Sequence, residues 1–293
     1  MFLTVCIPVY NFDVNPLVSE ILRQLQKEFF QSEVRCYDDG SGQKYKAINS
    51  RLSTTIIYKE LPNNIGRSAI RNLLAQESQG EFLLFLDCDS GIVSADFIKG
   101  YITANKKSDV ILGGTLYPRH LPSPEVSLRW KYGREREMRT ATSRNLDPYE
   151  GLNLNNIFIR RELFLRYKLD ETISTYGHED TLFGYKLKKE KVNILHIDNA
   201  VDHLGLEPNK VFLEKSKIAV RNFHKICQEN CGEETKLYTA YETLKKWHLL
   251  GIFSSVYAFF ESMIETNLEY DDPSLRLFDL YKLNEFIKAS LKK

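Results

Sequence analysis

An α/β fold with a mostly parallel central sheet flanked by helices is predicted by two features of the first hundred residues. Short apolar runs alternate with segments of helical periodicity, the pattern of right-handed βαβ units. Three of the four early strands also end abruptly in polar clusters, which parallel topology gathers along one rim. The sharpest change is at Phe82 to Leu86, five apolar or aromatic residues followed at once by Asp87-Cys88-Asp89. That uninterrupted run reads as a strand buried on both faces.

The elements follow in order. Phe2 to Val9 is a strand that stops at a turn, because Pro8 removes a ladder donor and Asn11 favours loop geometry. Between Asn15 and Phe30, Leu17, Val18, Ile21, Leu22 and Leu25 keep a helical period. Glu33 to Tyr37 is a second strand, ending in Asp38-Asp39-Gly40-Ser41. A helix around Lys44 to Leu52 and a strand around Thr55 to Tyr58 come next. Asn64-Ile65-Gly66 then opens a helix that buries Ile70, Leu73 and Leu74 and carries Arg67 and Arg71.

Composition narrows the function. The 293 residues, 43% hydrophobic and 27% charged with net charge +1, describe a globular protein with no global field for nucleic acid. Cys6, Cys36, Cys88, Cys227 and Cys231 lack metal-finger spacing and read as reduced thiols of a cytoplasmic protein. Phe2 enters a strand with no basic n-region before it, so no signal peptide is expected. No apolar run approaches the roughly 20 residues of a membrane span.

At the rim, Asp87 and Asp89 are two apart and share one side of an extended segment. Like charges that close call for a cation, and hard oxygen donors suit Mg2+ or Mn2+ carrying a diphosphate. Tyr10 against a base, Asp39 accepting from base or ribose, and arginine near phosphate complete a nucleotide pocket. Each residue singly also has a structural reading, as packing residue, turn former or solvated helix face.

These motifs resemble the family 2 glycosyltransferases of the GT-A fold. The resemblance rests on Pro8-Val9-Tyr10-Asn11, Asp38-Asp39-Gly40-Ser41, Asn64-Ile65-Gly66 with Ala69-Ile70-Arg71-Asn72, and Asp87-Cys88-Asp89, in that order. Ile70, between alanine and arginine, departs from the pattern. The resemblance implies a nucleotide-sugar site at Pro8, Tyr10, Asn11, Asp39, Gly66, Arg71 and Asp87, with Asp89 holding the metal. A UDP-sugar is the donor favoured on base rate.

Asp96 to Asn105 reads as a helix and Asp109 to Gly114 as a strand. Tyr117 to Glu150 is irregular and basic, with a helix expected from about Glu125 to Arg139 whose cations form a solvated face. Gly151 to Arg161 is a polar loop entering a strand, where the resemblance turns Asn156 toward the sugar pocket. Glu179 and Asp180 stand at the first turn of a helix that buries Leu182, Phe183 and Leu187. The macrodipole there keeps a carboxylate ionised, and a capping box is the structural alternative. The resemblance implies that Asp180 is the general base of an inverting transfer and that Glu179 positions the acceptor. His196 reads as structural, whereas related enzymes supply a third metal ligand at the position of His203. Lys210 and Lys215 lie downstream, within reach of phosphate.

The domain reading is a catalytic region over 1–232, with a nucleotide-sugar half at 1–115 and an acceptor half at 116–232, followed by a helical extension at 233–293. Trp247 to Phe260 is too short to cross a bilayer. Packing on the core is its expected role, with a membrane-surface or subunit contact as alternatives. The whole is a metal-dependent, inverting glycosyltransferase, cytoplasmic or peripheral to the inner face of the membrane. It uses a nucleotide-sugar donor and a glycan or lipid-linked saccharide acceptor, with Mn2+ or Mg2+ as cofactor. A sugar nucleotidyltransferase would need a glycine-rich loop after the first strand, which is absent. A catalytically silent scaffold would have lost Asp89 or Asp180, and both are present.

Overall fold

The computed structural model describes residues 1–173, 175–227 and 235–291. Cys231 and the boundary expected at 232/233 lie outside them. Strands β1 (Phe2–Val9), β2 (Gln31–Asp38), β3 (Ile57–Glu60) and β4 (Phe82–Leu86) alternate with helices α1 (Asn15–Leu25), α2 (Gln43–Asn49) and α3 (Arg67–Glu77). Helix α1 stops at the last core-facing residue of its stripe, and Phe29 beyond it is fully exposed. After β4 come β5 (Ser90–Ile92), α4 (Phe97–Ala104), β6 (Val110–Leu112) and β7 (Thr115–Leu116). The helix expected over 125–139 is divided, with a 3-10 turn at Pro124–Val126, α5 (Ser127–Tyr132) and a π-turn at Gly133–Glu137. Next are α6 (Ala141–Arg144), β8 (Asn156–Arg160), α7 (Arg161–Tyr167), α8 (Glu179–Lys189), β9 (Ile194–His196) and β10 (Val201–His203). Helices α9 (Asn209–Cys227), α10 (Lys236–Lys246), α11 (Leu250–Glu269) and α12 (Leu275–Leu291) close the chain.

Seven strands form one sheet in the order β3-β2-β1-β4-β8-β6-β9. Neighbours are parallel except around β8, which runs antiparallel to β4 and β6. Alternate side chains of each strand supply opposite faces. Leu3, Val5, Ile7 and Val9 of β1 join Leu17, Val18 and Ile21 of α1 and Phe97 and Tyr101 of α4 in one core. Cys6 of β1 and Phe85 of β4 face the other, with Ile70, Leu74, Phe164 and Phe183 from α3, α7 and α8. Phe164 binds that layer, its ring 4.8 Å from Phe85 and 5.5 Å from Phe183. A second sheet has the order β5-β10-β7, with β10 antiparallel to β5 and parallel to β7.

The chain divides into two compact units. The first comprises Met1–Tyr117, Glu137–Ser174 and Glu179–Gly205 and contains both sheets. The second comprises Pro118–Arg136, Thr175–His178 and Leu206–Lys293. Its core gathers Leu128, Phe212, Leu213, Tyr257, Leu268 and Phe278. Among the described residues no helix is long and apolar enough to cross a membrane.

Candidate active site

Parallel pairing sets the carboxyl ends of β1, β2 and β4 side by side, and the loops leaving them hold one another. Asn11, at φ +50°, accepts the Gly42 amide (2.8 Å), while its own amide donates to Ser41 Oγ (2.8 Å). Asp38 accepts the Ser41 amide (2.7 Å). Buried Asp39 accepts the amides of Ile65 (2.7 Å) and Gly66 (3.2 Å), fixing the loop that starts α3. Burial raises its pKa against those two bonds. Gly66 sits at φ +91°, a backbone state that side chains resist, and from it α3 departs over β4. Tyr10 is 52% exposed at the end of β1, while Pro8 lies within β1 opposite Tyr37.

On α3 the structure separates two arginines that share a face one turn apart. Arg71 is buried, donating through Nη2 to Asp87 Oδ1 and through Nη1 to the Arg67 carbonyl (3.2 Å). Arg67 is the more exposed, its Nη2 3.5 Å from Asp87 Oδ2 and its Nε 3.1 Å from Glu179 Oε1. Arg67 therefore joins the strand-end carboxylates to α8. Arg71, singled out in the sequence as the phosphate contact, is committed to Asp87. Burial works against the Asp87 charge, yet Arg71 and Arg67 hold its carboxyl below the ordinary range.

The antiparallel return of β10 along β5 puts His203 opposite Ser90. His203 Nε2 lies 3.9 Å from Asp89 Oδ2, and its ring stacks on Tyr117 at 5.4 Å. Among the described residues His203 Nδ1 is buried without a hydrogen-bond partner. Burial raises the Asp89 carboxyl, His203 opposes that and Asp87 reinforces it. Gly205 gives Asp89 its room, since a Cβ there would stand 2.2 Å from Oδ2. One carboxylate oxygen beside one imidazole nitrogen fits Mn2+, and also Mg2+, as a pair of protein ligands. Among the described residues no group of three or more His, Cys, Asp or Glu side chains is placed to hold one ion.

Glu179 and Asp180 open α8. Glu179 is buried, with Oε1 on Arg67 and Oε2 left without a partner among the described residues. Asp180 Oδ1 accepts the Thr181 amide (2.8 Å). Burial first, and then the Glu179 charge, push the Asp180 carboxyl up to about 7, against Arg67 and Arg71. This corrects the expectation that the helix dipole keeps it ionised throughout. A partial charge spread over a helix end is weaker than desolvation beside a second carboxylate.

Other sequence candidates have structural partners. Asn156 is turned into the sheet instead of toward a sugar pocket, accepting from Tyr101 Oη and donating to the carbonyls of Gly114 (2.9 Å) and Asn199 (3.0 Å). His196 lies between Arg144 Nη1 (3.0 Å) and the Pro148 carbonyl (2.9 Å). Arg144 binds the carbonyls of Gly113 (3.1 Å) and Ile197 (2.9 Å). In the second unit Arg136 pairs with Asp279 (3.0 Å), Lys215 with Glu207 and Lys210 with Glu269 (3.5 Å).

A family model described as glycosyl transferase family 2 matches residues 4–164, over half of the chain. A 121-residue stretch, 39% of the chain, is 29% identical to a poly(ribitol-phosphate) beta-glucosyltransferase of Bacillus spizizenii and covers 19% of that protein. The crystal structure of S. aureus TarS aligns with 75% of this chain and 39% of its own, at 23% identity and a TM-score of 0.50. TarS 1-349 aligns with 99% of this chain and 92% of its own, at 20% identity and a TM-score of 0.51. Mannosyltransferase PcManGT of Pyrobaculum calidifontis, solved with GDP-Man and Mn2+, aligns over 99% and 87%, at 15% identity and a TM-score of 0.60. The chain thus spans well under two thirds of the glucosyltransferase and of full TarS. At such identities the solved structures speak for the fold, and they bear out the expected mostly parallel α/β architecture.

Proposed function

The chain belongs to glycosyl transferase family 2, and from that premise we propose that it moves a sugar, with inversion, from a nucleoside-diphosphate donor to a hydroxyl of a glycan or lipid-linked saccharide. The observation that carries the reading is Arg67, which ties Asp87 at the end of β4 to Glu179 beside Asp180. Through it a donor-side carboxylate and a base with its pKa near 7 belong to one network. In support, PcManGT was solved with GDP-Man and Mn2+. TarS 1-349 was solved with UDP-GlcNAc at a TM-score of 0.50. A UDP-sugar is the first donor to test.

Tyr10 offers an exposed ring for the base, and Asp39 retains lone pairs for base or ribose. Asp87, held ionised by two arginines, accepts from donor hydroxyls. Asp89 and His203 would hold Mn2+ or Mg2+, which when bound supplies positive charge for the leaving diphosphate. Asp180 takes the acceptor hydroxyl proton as that oxygen bonds to the anomeric carbon. On the opposite face the carbon–oxygen bond to the β-phosphate breaks, and the nucleoside diphosphate departs with the electron pair. Arg67, more exposed than Arg71 and paired with both Asp87 and Glu179, is the side chain placed nearest that charge. The free thiols of Cys6, Cys36 and Cys88 fit a reducing, cytoplasmic setting.

Calorimetric titration of UDP and GDP, each with and without Mn2+, into the wild type and Asp89→Ala tests the donor side. Binding that needs metal and disappears in the variant supports the reading. Absence of binding by either nucleotide in every condition overturns the UDP or GDP donor.

A further inference from the structure

The antiparallel ladder between β4 and β8 runs one step beyond its last paired residues, Leu86 and Asn156, because the Asp87 amide donates to the Asn155 carbonyl (3.2 Å). Residues opposed across such a ladder send their side chains to the same side of the sheet, with Cβ atoms about 5 Å apart. Asp87 follows Phe85 on that side and Asn155 precedes Ile157, and Phe85 and Ile157 share the core layer that α3, α7 and α8 cover. Asn156 and Phe158 point the other way. Asn155 therefore shares a face with Asp87, whose carboxylate Arg71 and Arg67 hold.

The second sheet supplies an anchor. Asn155 Nδ2 donates to Thr115 Oγ1 (2.8 Å). In the parallel pairing of β7 with β10, Thr115 stands opposite Val201, two residues before His203, so Thr115 and His203 lie on one face of that sheet. The Asn155 amide thus reaches from the Asp87 side of the first sheet to the His203 side of the second. Its neighbour Asn156 engages both ends of its amide within the fold. Asn155 is 7% exposed, yet among the described residues its Oδ1 accepts no hydrogen bond. An amide so enclosed, tied at one end only, has an acceptor to offer a ligand on the rim.

We propose that Asn155 is a specificity-determining contact for the donor sugar, its Oδ1 accepting from a pyranose hydroxyl next to the one that Asp87 accepts from. The inference rests on the nucleotide-sugar reading above and deepens it, naming a residue that tells one sugar from another. Thr115 fixes the amide, so Oδ1 faces one direction and suits one configuration at the neighbouring carbon. A sugar epimeric there leaves that oxygen enclosed and unpaired, which is how a hydrogen-bonding site rejects a near relative.

Calorimetric titration in the presence of Mn2+ tests it, with UDP, UDP-glucose, UDP-galactose, UDP-N-acetylglucosamine, GDP and GDP-mannose as probes of the wild type, Asn155→Ala and Thr115→Val. The wild type is expected to prefer one sugar nucleotide to the others and to its bare nucleotide. Asn155→Ala should weaken that sugar nucleotide roughly 3- to 10-fold while the bare nucleotide changes by less than about twofold, so that the sugars become nearly equivalent. Thr115→Val loosens the amide without removing it and should blunt the preference by a smaller factor, and it carries the same comparison should Asn155→Ala not fold. Equal weakening of nucleotide and sugar nucleotide by Asn155→Ala overturns the proposal and leaves Asn155 as a tie between β8 and β7. An Asn155→Ala protein that keeps the wild-type preference among sugars overturns it as well, and so does a wild type that binds nucleotide without preferring any sugar. A wild type that binds no nucleotide overturns the donor reading and this inference with it, a failure seen before any variant is made.

Discussion

Asp180 is held between opposed influences, burial and Glu179 pushing its carboxyl up to about 7 while Arg67 and Arg71 pull it down. As a base it works only when ionised, so kcat is expected to rise with pH through about 7 and level off above it. A pH profile checks this. Asp180→Asn should lower kcat by ~10²–10⁴-fold with nucleotide affinity nearly unchanged. Linkage gives a second signature. Its folded pKa lies above the unfolded value, so its contribution favours folding at low pH and is lost as pH rises through about 7. Asp180→Asn should therefore raise the melting temperature most at pH 8, less at pH 5, and have little effect below about pH 4. Arg67 supplies a third test, because removing its charge leaves Asp180 harder to ionise. Arg67→Ala should move the midpoint of the profile to higher pH with the fold intact. In the sequence the carboxylates were legible because each stands at an element boundary. Which arginine is buried against Asp87 was not, because helical spacing puts Arg67 and Arg71 on one face and burial alone distinguishes them.

Between elements, the decisive contacts join segments distant in the chain. Gly205 lets the chain after β10 pass Asp89, and a methyl group there would meet Asp89 Oδ2 at 2.2 Å. The carboxylate can swing away, so Gly205→Ala should reduce activity and metal-dependent nucleotide binding about tenfold or more while the melting temperature changes by no more than about 3 °C. Asn156 presents the reverse case. Its amide ties β8 to Tyr101 of α4 and to the carbonyls of Gly114 and Asn199. Asn156→Ala leaves those groups unsatisfied in the interior and should cost about 2–4 kcal/mol, read by denaturant unfolding. Alternation of strand and helix was readable from periodicity. The role of Asn156 was not, because an asparagine at the mouth of a strand looks the same in sequence whether it faces ligand or core.

At the scale of the molecule, every residue of the proposed donor site and base lies in the first unit, while α9 to α12 belong to the second. Nucleotide with Mn2+ at about 100 times its dissociation constant should stabilise the unit that binds it by about 2.7 kcal/mol. Scanning calorimetry should show that gain as a higher melting temperature. By itself the sequence determined the order of strands and helices, the motif-bearing loops, and the rim on which Tyr10, Asp39, Asp87 and Asp89 meet. Those follow from local periodicity and from the right-handedness of parallel crossovers, which leave few arrangements to choose among. Tertiary structure alone decided that β10 returns beside β5 to bring His203 to Asp89, that Arg67 bridges Asp87 and Glu179, and that α11 keeps an apolar face outside its own core. These depend on burial and on contacts between residues far apart in the chain, for which the local sequence carries no signal.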